Sequence, residues 1–217
     1  CINFFIKIPD RGIFFGSTPE RLIKKYNDNI NTEALAGTIA RNSNNDIDTE
    51  LGNKLKNDKK NLQEHQLVVQ EIEQKLSPKL INIKISEKPH IFKLHRLQHL
   101  ITEISGKLNN DIHILELVKI LHPTPAVLGV PIDNASKLIV EYENHDRGWY
   151  SGPLGWIDKF GNGDFSVSLR SAFTVDDTIQ IFSGGGIVHD SIPEKEWEET
   201  EMKFKTILPT IGEFKNE

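Results

Sequence analysis

The alternation of apolar and polar residues predicts a chain that begins in extended structure and then enters a long helix. Residues 4–8 and 12–16 are predicted to pair as strands around a turn at 9–11, and an extended run resumes at 21–23. From 48 to 76, apolar residues recur at helical spacing, which predicts the longest helix of the chain. Its buried stripe is predicted to contain Leu51, Leu55, Leu62, Val69, Ile72 and Leu76.

In the second half of the chain, the pattern predicts strands and shorter helices. Residues 91–104 alternate like one long strand, and helices are predicted at 111–121 and 132–144. Residues 150–186 are predicted to form three antiparallel strands with turns at 159–163 and 176–177. On the long strand, one face is predicted to carry His95, Leu97, His99 and Ile101.

The last helix is predicted to open at a capping box, Ser191-Ile192-Pro193-Glu194, and to run to about residue 208. Upstream, Arg170 is predicted to rise from a strand face of small residues, which leaves room for a ligand. Because the strands and helices lack a βαβ rhythm, the pattern predicts an α+β fold with antiparallel sheet. No internal repeat or linker is recognisable, so residues 1–217 are predicted to belong to a single domain.

Composition narrows the class of protein. With 37% hydrophobic and 26% charged residues, the chain is expected to be globular. A net charge of −5 without a basic block disfavours nucleic acid and anionic membranes as partners. A lone cysteine, Cys1, excludes an internal disulfide and a cysteine metal site. No apolar run approaches the roughly 20 residues of a membrane span, and no signal peptide is recognisable, so the intact protein is expected to be cytoplasmic.

The candidate chemistry lies in two separated acidic segments. Glu64 precedes an apolar stretch at residues 67–69, and a buried carboxylate is costly unless a cation meets it. The second segment follows a Gly-Gly-Gly run at 184–186, whose backbone N–H groups could cradle a carboxylate. It contains Glu194, Glu196, Glu198, Glu199 and Glu201. Two acidic helices and a glycine-rich turn predict a hard metal ion that holds an anionic ligand.

Each feature alone also has an ordinary structural explanation. Glu64 could pair with a distant lysine, the acidic run could be a solvated helix start, and the glycines could form a tight turn. His99 and His122 are more often hydrogen-bonded structural histidines than catalysts, and Tyr150 near Arg170 could be core packing. Only their combination predicts a site for a small, multiply anionic molecule.

Seven sequence segments, in order along nearly the whole chain, resemble the chorismate-utilising enzymes and, within that family, the isochorismate synthases. They are residues 15–22, 33–38, 64–68, 121–126, 147–152, 183–188 and 196–200. The fold that this resemblance implies is an antiparallel β-sandwich wrapped by helices, of which this chain would be the C-terminal part, with the N-terminal part missing. The immediate start in strand-like sequence at Cys1-Ile2 also suggests a piece of a longer protein.

The resemblance implies roles for particular residues. Glu20 matches the general acid that protonates the departing C4 hydroxyl of chorismate, while water attacks C2. Glu64 and Glu199 match ligands of Mg²⁺, and Glu196 matches an outer carboxylate that acts through water. The substrate-binding positions are Gly37, Thr38, His99, Ala126, Tyr150, Arg170, Gly184, Gly185 and Gly186.

Ala126 bears on which reaction of the family is expected. The chain resembles isochorismate synthases at this position, whereas anthranilate and salicylate synthases usually carry Thr there. The sequence of residues 33–38 resembles that of menaquinone-pathway enzymes more than that of siderophore-pathway enzymes. The expected function is therefore Mg²⁺-dependent conversion of chorismate to isochorismate, for menaquinone biosynthesis. Salicylate or anthranilate synthase, an inactive chorismate-binding fragment and a purely structural role of the acids are the alternatives.

Two positions depart from the family pattern. The family places a second acid one turn before the Glu64 position, where this chain has Asn61. The lysine that activates the attacking water lies several tens of residues before the Glu20 position, upstream of Cys1, and Lys7 is in the wrong motif. Residues 1–217 alone are therefore expected to be inactive.

Overall fold

Two antiparallel sheets form the framework of the protein in the computed structural model, which describes residues 1–212. The smaller sheet has the strand order β1-β2-β10-β11, with β1 (Ile2–Ile8), β2 (Gly12–Thr18), β10 (Ser171–Val175) and β11 (Thr178–Phe182). The larger sheet has the order β5-β7-β4-β3-β9-β8. Its strands are β3 (Arg21–Tyr26), β4 (Asn29–Ala40), β5 (Leu80–Ile85), β7 (Leu97–Leu108), β8 (Pro153–Ile157) and β9 (Gly163–Val167), and β6 (His90–Lys93) also pairs with β7.

The helices are α1 (Asn45–Asn57), α2 (Lys59–Leu76), α3 (Ile114–Leu121), α4 (Pro125–Leu128), α5 (Ile132–Tyr142), α6 (Pro193–Phe204) and α7 (Leu208–Ile211). A 3₁₀ turn, Ser77–Lys79, follows α2. The main core lies between the larger sheet and the helices α2 and α3, where Ile23, Ile30, Leu76, Ile114 and Leu117 are at most 1% exposed. The predicted α+β antiparallel fold is confirmed.

The predicted helix from 48 to 76 is wrong as one element, because it is interrupted at Asp58. The backbone of Asp58 is extended, and its side chain accepts a hydrogen bond from the Asn61 N–H at 2.9 Å. One residue therefore ends α1 and caps α2. Within the predicted stripe, Leu55, Ile72 and Leu76 are buried, whereas Leu51, Leu62 and Val69 are half-buried. The apolar stretch after Glu64 also keeps more surface than expected, since Leu67 is 39% exposed.

The predicted long strand from 91 to 104 is a hairpin instead. The chain turns at residues 94–96, where the Leu94 N–H donates to the Leu97 carbonyl at 2.8 Å, and Phe92 then pairs with His99 across the two strands. His95 lies in the turn and does not share the strand face of Leu97, His99 and Ile101. Alternation alone cannot reveal such a turn, because both arms of the hairpin keep the same period.

The predicted three strands between 150 and 186 are four, divided between the two sheets. The chain leaves the larger sheet after Val167 and enters the smaller one at Ser171, so that residues 168–170 form a crossing. Arg170 lies in that crossing with φ of +48°, not within a strand. The predicted turn positions at 159–163 and 176–177 agree with the connections between β8 and β9 and between β10 and β11.

The capping box predicted at Ser191 is also wrong. Ile192 is the N-cap of α6 and makes no side-chain capping bond, while the Ser191 hydroxyl accepts from the Val188 N–H at 3.0 Å. Pro193 occupies the first turn of α6, where a missing N–H costs nothing. The helix ends at Phe204, four residues before the predicted end, and α7 is separate.

Among residues 1–212, no individual helix has the length and apolar character to cross a bilayer. The segments Ile114–Leu121 and Pro125–Tyr142 reach the required length and apolar character only when they are taken together, and they are bent by 44° relative to each other.

Candidate functional site

The candidate site lies where the chain passes twice between the two sheets. Glu20 follows β2 and precedes β3, and Arg170 lies between β9 and β10. The crossings touch, because the Ser17 N–H donates to the Arg170 carbonyl at 3.1 Å. One pocket beside them is lined by all but one of the predicted site residues, namely Glu20, Gly37, Thr38, Glu64, His99, Ala126, Tyr150, Arg170, Gly184, Gly185, Gly186 and Glu199. Glu196 lies outside its lining.

Glu20 is held rigidly at the first crossing. Its N–H donates to the Thr18 hydroxyl at 3.2 Å, and its carbonyl accepts from the Val167 N–H at 3.1 Å. The side chain is buried, and burial, reinforced by the nearby Glu33, raises the pKa of Glu20 to about 7. A carboxyl group with this pKa retains a proton over part of the neutral range and can therefore serve as a general acid.

Arg170 and His99 form a pair at the second crossing. The Arg170 Nη2 atom lies 2.6 Å from His99 Nε2. Since a guanidinium can only donate, Nε2 accepts, and the imidazole carries its proton on Nδ1, which faces the Gly37 carbonyl at 3.3 Å and the Thr38 hydroxyl at 3.2 Å. Burial, together with Arg170, lowers the pKa of His99 to about 3. His99 is thus a neutral acceptor that orients Arg170.

Tyr150 contributes a hydroxyl to the same pocket. Its ring stacks on Phe182 with the centroids 5.2 Å apart and an interplanar angle of 13°. Burial raises the pKa of Tyr150 to about 12, so the phenol stays neutral and can donate a hydrogen bond. A Cβ atom at Gly184 would come within 3.0 Å of the Tyr150 hydroxyl oxygen, which explains why a glycine suits that position.

A bulge in β4 brings backbone into the pocket. The register with β7 shifts between Ala36 and Thr38, and Gly37 adopts φ of +77°. The Thr38 N–H donates to Asn61 Oδ1 at 3.2 Å, and Asn61 Nδ2 donates to Asp58 Oδ1 at 2.7 Å. Asn61, the departure from the family pattern, therefore ties the start of α2 to the bulge.

Glu64 projects from α2 against the glycine segment. A Cβ atom at Gly186 would lie 2.8 Å from Glu64 Oε1, so only a glycine leaves space for this carboxylate. Burial, then the like charge of Glu199, raise the pKa of Glu64 to about 7. Among the salt bridges of residues 1–212, none includes Glu64. Glu64 is therefore a half-buried carboxylate without an ion-pair partner among the described residues, and Lys60 and Lys203 act on it only at longer range.

Two of the acids of α6, Glu199 and Glu196, are paired with lysines. Lys203 Nζ lies 2.8 Å from Glu199 Oε1 and donates to the Gly184 carbonyl at 2.9 Å. Lys60, on α2, donates to Glu196 Oε1 at 2.5 Å. The other oxygen of Glu196, Oε2, is buried and has no hydrogen-bond partner in the described structure. Glu64 and Glu199 thus share a pocket wall, and Glu196 lies behind it.

The donor set suits Mg²⁺ in chemistry. The carboxylates of Glu64 and Glu199 offer oxygen only, and the glycines at 185 and 186 leave the space that a Cβ would fill. Within residues 1–212, no three acidic, histidine or cysteine side chains are arranged to hold a metal. Mg²⁺ is usually bound by one or two carboxylates with water and substrate oxygens, so two glutamates are a sufficient protein contribution.

Arg147 and Ala126 also line the pocket. The Arg147 guanidinium donates to both carboxylate oxygens of Glu143 and, through Nη1 at 2.8 Å, to the Val127 carbonyl. This ties the end of α5 to α4, which carries Ala126. His122 lies nearby with a structural role, since its Nε2 lies 2.9 Å from the Ser151 carbonyl.

The sequence did not single out two cations of the pocket, Arg147 and Lys203. Lys203 could have been found from its i,i+4 spacing to Glu199 on the last helix. Arg147 carried the same i,i+4 signal, to Glu143, and it begins the family-like segment 147–152, whereas its bond to the Val127 carbonyl, 20 residues away, could not be read from the sequence.

Comparison with known proteins identifies the family of this chain. The sequence profile of the family described as "Chorismate binding enzyme" matches residues 1–212. The chain is 41% identical to the isochorismate synthase MenF of Bacillus subtilis and 44% identical to the salicylate biosynthesis isochorismate synthase of Pseudomonas aeruginosa. Each match covers 92% of this chain and 42% of the relative, so the chain spans less than half the length of these proteins.

The fold is also similar to a solved structure, that of MenF, the menaquinone-specific isochorismate synthase of Escherichia coli. The TM-score is 0.86 at 35% identity, over 95% of this chain and 47% of that one. A family match over nearly the whole chain, with the predicted pocket residues brought together by the fold, leads to one conclusion: this chain belongs to the chorismate-binding enzyme family.

Proposed function

We propose that this chain carries the acid-catalyst and substrate-carboxylate half of an isochorismate synthase, which converts chorismate to isochorismate. The observation that supports this most is the pairing of a protonatable Glu20 with a cationic Arg170 in one pocket. Relatives that are named isochorismate synthases support the same reaction. The reaction removes a hydroxyl at C4 of chorismate and adds one at C2. It therefore needs an acid that protonates the leaving hydroxyl and a cationic group that binds a carboxylate of the substrate.

In this proposal Glu20 donates the proton that the leaving hydroxyl requires. Its pKa of about 7 allows the group to be protonated at the start of turnover. A positioned acid of this kind contributes a rate factor of about 10²–10⁴. The rigid backbone bonds at Glu20 hold the carboxyl group at the crossing, so little reorganisation is needed.

Arg170 and Tyr150 are proposed to bind the enolpyruvyl carboxylate. The guanidinium keeps one nitrogen on His99 and has further N–H groups for an anion, and the neutral phenol of Tyr150 can donate as well. Burial lowers the pKa of Arg170 to about 10, so the guanidinium is still charged at neutral pH. The backbone of Gly37, Thr38 and Gly184–186 is proposed to surround the ring carboxylate.

Glu64 and Glu199 are proposed to hold Mg²⁺, with Glu196 acting behind them through water. When bound, the ion would supply electrostatic neutralisation and orientation of the ring carboxylate. Without the ion, Glu199 is paired with the Lys203 ammonium, and Glu64, whose pKa is raised, can hold a proton. Binding of the cation would replace the ammonium at Glu199 and the proton at Glu64.

Ala126 is proposed to favour the isochorismate product, and menaquinone biosynthesis is proposed as the pathway. A MenF relative supports that pathway, whereas the salicylate-biosynthesis relative supports an alternative use of the same product. We also propose that the protein is located in the cytoplasm, as expected from the sequence.

Product analysis tests the proposal. Chorismate and MgCl₂ are incubated with the longest natural form of the protein and, separately, with residues 1–217, with and without ammonia. Isochorismate as the main product of the longer form supports the proposal. Release of pyruvate with salicylate, or an ammonia-dependent anthranilate, would instead identify the other family reactions. Turnover by residues 1–217 at the rate of the longer form would overturn the prediction that this piece alone is inactive.

A further inference from the structure

The helices α2 and α6 carry the two proposed metal ligands, Glu64 and Glu199, from distant parts of the chain. Within residues 1–212, one ion pair joins these helices directly, between Lys60 and Glu196. Lys60 lies one turn before Glu64 on α2, and Glu196 lies three residues before Glu199 on α6. The pair therefore connects the two helices within one turn of each ligand.

The bridge is sheltered from solvent. The side chains of Lys60 and Glu196 are 24% and 8% exposed, and the Nζ–Oε1 distance is 2.5 Å. Pairs that are this well shielded restrict geometry more strongly than exposed surface pairs, because water and salt screen them less. Lys60 is the cation that pairs with this carboxylate, and the Ser191 hydroxyl is a further, neutral contact.

Lys60 also lies in the field of all three glutamates of the candidate metal site. Glu196, Glu64 and Glu199 each favour the charged ammonium. Two roles for Lys60 follow from this position. It could merely compensate acidic charge, or it could hold α2 and α6 at the separation that Glu64 and Glu199 need.

We propose that Lys60 is a positioning residue for the cation site and acts through Glu196 to fix α2 against α6 before Mg²⁺ binds. This inference rests on the proposed function, because it requires that Glu64 and Glu199 bind the ion. The two roles predict opposite effects. Loss of a nearby positive charge alone would strengthen the binding of a dication, since like charges repel. Loss of the bridge would weaken it.

The test is calorimetric titration of MgCl₂ into the wild-type protein, Lys60→Met, Lys60→Arg and Lys59→Met. Lys59 is the matched control, because it is the preceding residue, it is exposed, and it pairs with no carboxylate in the described structure. We expect Lys60→Met to weaken Mg²⁺ binding by about 10- to 100-fold, which is typical of a lost supporting contact behind a metal ligand. Lys60→Arg, which keeps the charge and can still reach the carboxylate, should recover most of the affinity, and Lys59→Met should bind normally.

Unchanged or tighter Mg²⁺ binding by Lys60→Met would overturn the positioning role while leaving the proposed function standing. No Mg²⁺ binding by the wild-type protein would remove the proposed metal site and this inference with it.

A metal-free measurement checks the bridge independently. Chemical unfolding in EDTA is compared for Lys60→Met, Glu196→Gln and the double variant. A bridge predicts that the double variant is no less stable than the less stable single variant, because either change alone breaks the pair. Additive losses would contradict the proposal.

Discussion

Two buried acidic centres of this protein have opposite electrostatics. Asp48 is 1% exposed and accepts hydrogen bonds from Arg41 at 2.7 Å, Lys93 at 2.8 Å, Gln98 at 2.9 Å and the Asn42 N–H at 3.1 Å. The Arg41 and Lys93 bonds hold the pKa of Asp48 well below its usual range. Neither Glu20 nor Glu64 has an ion-pair partner in the part of the chain that the structure describes, and burial raises the pKa of both to about 7.

The difference separates a structural carboxylate from one that awaits a ligand. The bonds of Asp48 join α1 to the hairpin of β6 and β7, so its charge is fully used within the fold. Glu20 and Glu64 carry a cost of burial that nearby cations offset only in part, and both line the pocket that also contains His99 and Arg170. Perturbed groups of this second kind cluster at functional sites.

The largest expected effect is on catalysis at Glu20. In the longest natural form of the protein, Glu20→Gln should lower kcat for chorismate by about 10²–10⁴, because an amide cannot donate the proton. Steady-state kinetics with isochorismate detection measures this. Glu116→Gln, an exposed acid on α3, is the control and should keep full activity. A Glu20→Gln enzyme within threefold of wild type would remove Glu20 from the acid role.

The next largest effect should be a loss of thermal stability when Asp48 is replaced. Asp48→Asn should lower the thermal unfolding midpoint by roughly 10 °C, since Arg41 and Lys93 would be left without their anion. Asp46→Asn, an exposed acid in the same helix, should change it by no more than about 2 °C. Circular dichroism melts at neutral pH compare the two. Equal midpoints for both variants would show that the Asp48 network is dispensable.

The pH dependence should differ in sign between the two centres. The folded protein retains the Glu20 proton up to a pKa of about 7, whereas the unfolded chain loses it near 4.5. Stability from this group is therefore lost as the pH rises from about 4.5 to 7, by about 3 kcal/mol. Asp48 behaves oppositely, because its lowered pKa gives stability that is lost only as the pH falls below about 3.8.

Denaturant unfolding of the metal-free protein at a series of pH values measures this. Glu64 and His99 also titrate in this window, and the lowered pKa of His99 makes stability rise with pH, so the test is the wild-type stability minus that of Glu20→Gln. This difference should fall between pH 4.5 and 7, with Glu20→Gln the more stable protein above pH 7, and a difference that rises through the window would contradict the assigned direction for Glu20.

A smaller effect is expected from the glycine segment. Gly186→Ala places a Cβ 2.8 Å from Glu64 Oε1 and should weaken Mg²⁺ binding by about tenfold, an effect typical of a disturbed ligand. Gly185→Ala is the matched control, because its Cβ would have an ordinary contact of 3.7 Å with Glu196. Calorimetry distinguishes them. Equal affinities for both variants would show that the space beside Glu64 is not needed.

Much of the architecture could be predicted from the sequence, because apolar periodicity reports which faces are buried. The strand pair at the start, the α3 and α5 helices and the turn positions near 160 and 176 followed from it. The break at Asp58, the turn at 94–96 and the crossing at 168–170 did not, because each depends on a local hydrogen bond or on a change of sheet that leaves the apolar pattern intact.

The candidate site shows the same division. Motif resemblance was enough to name 12 residues that line one pocket. It could not predict that His99 accepts from Arg170, or that Lys60 reaches Glu196, which is 136 residues away. Such contacts depend on how distant elements pack, so only the folded chain reveals them.

Calorimetric titration of MgCl₂ into the wild-type protein, Glu64→Gln, Glu199→Gln and Asp48→Asn tests the central distinction most directly. We predict that wild type and Asp48→Asn, at a temperature where both are folded, bind one ion with similar affinity, and that each glutamate variant loses binding by at least about tenfold. Wild-type affinity in both Glu64→Gln and Glu199→Gln would contradict the assignment of these carboxylates to a shared cation.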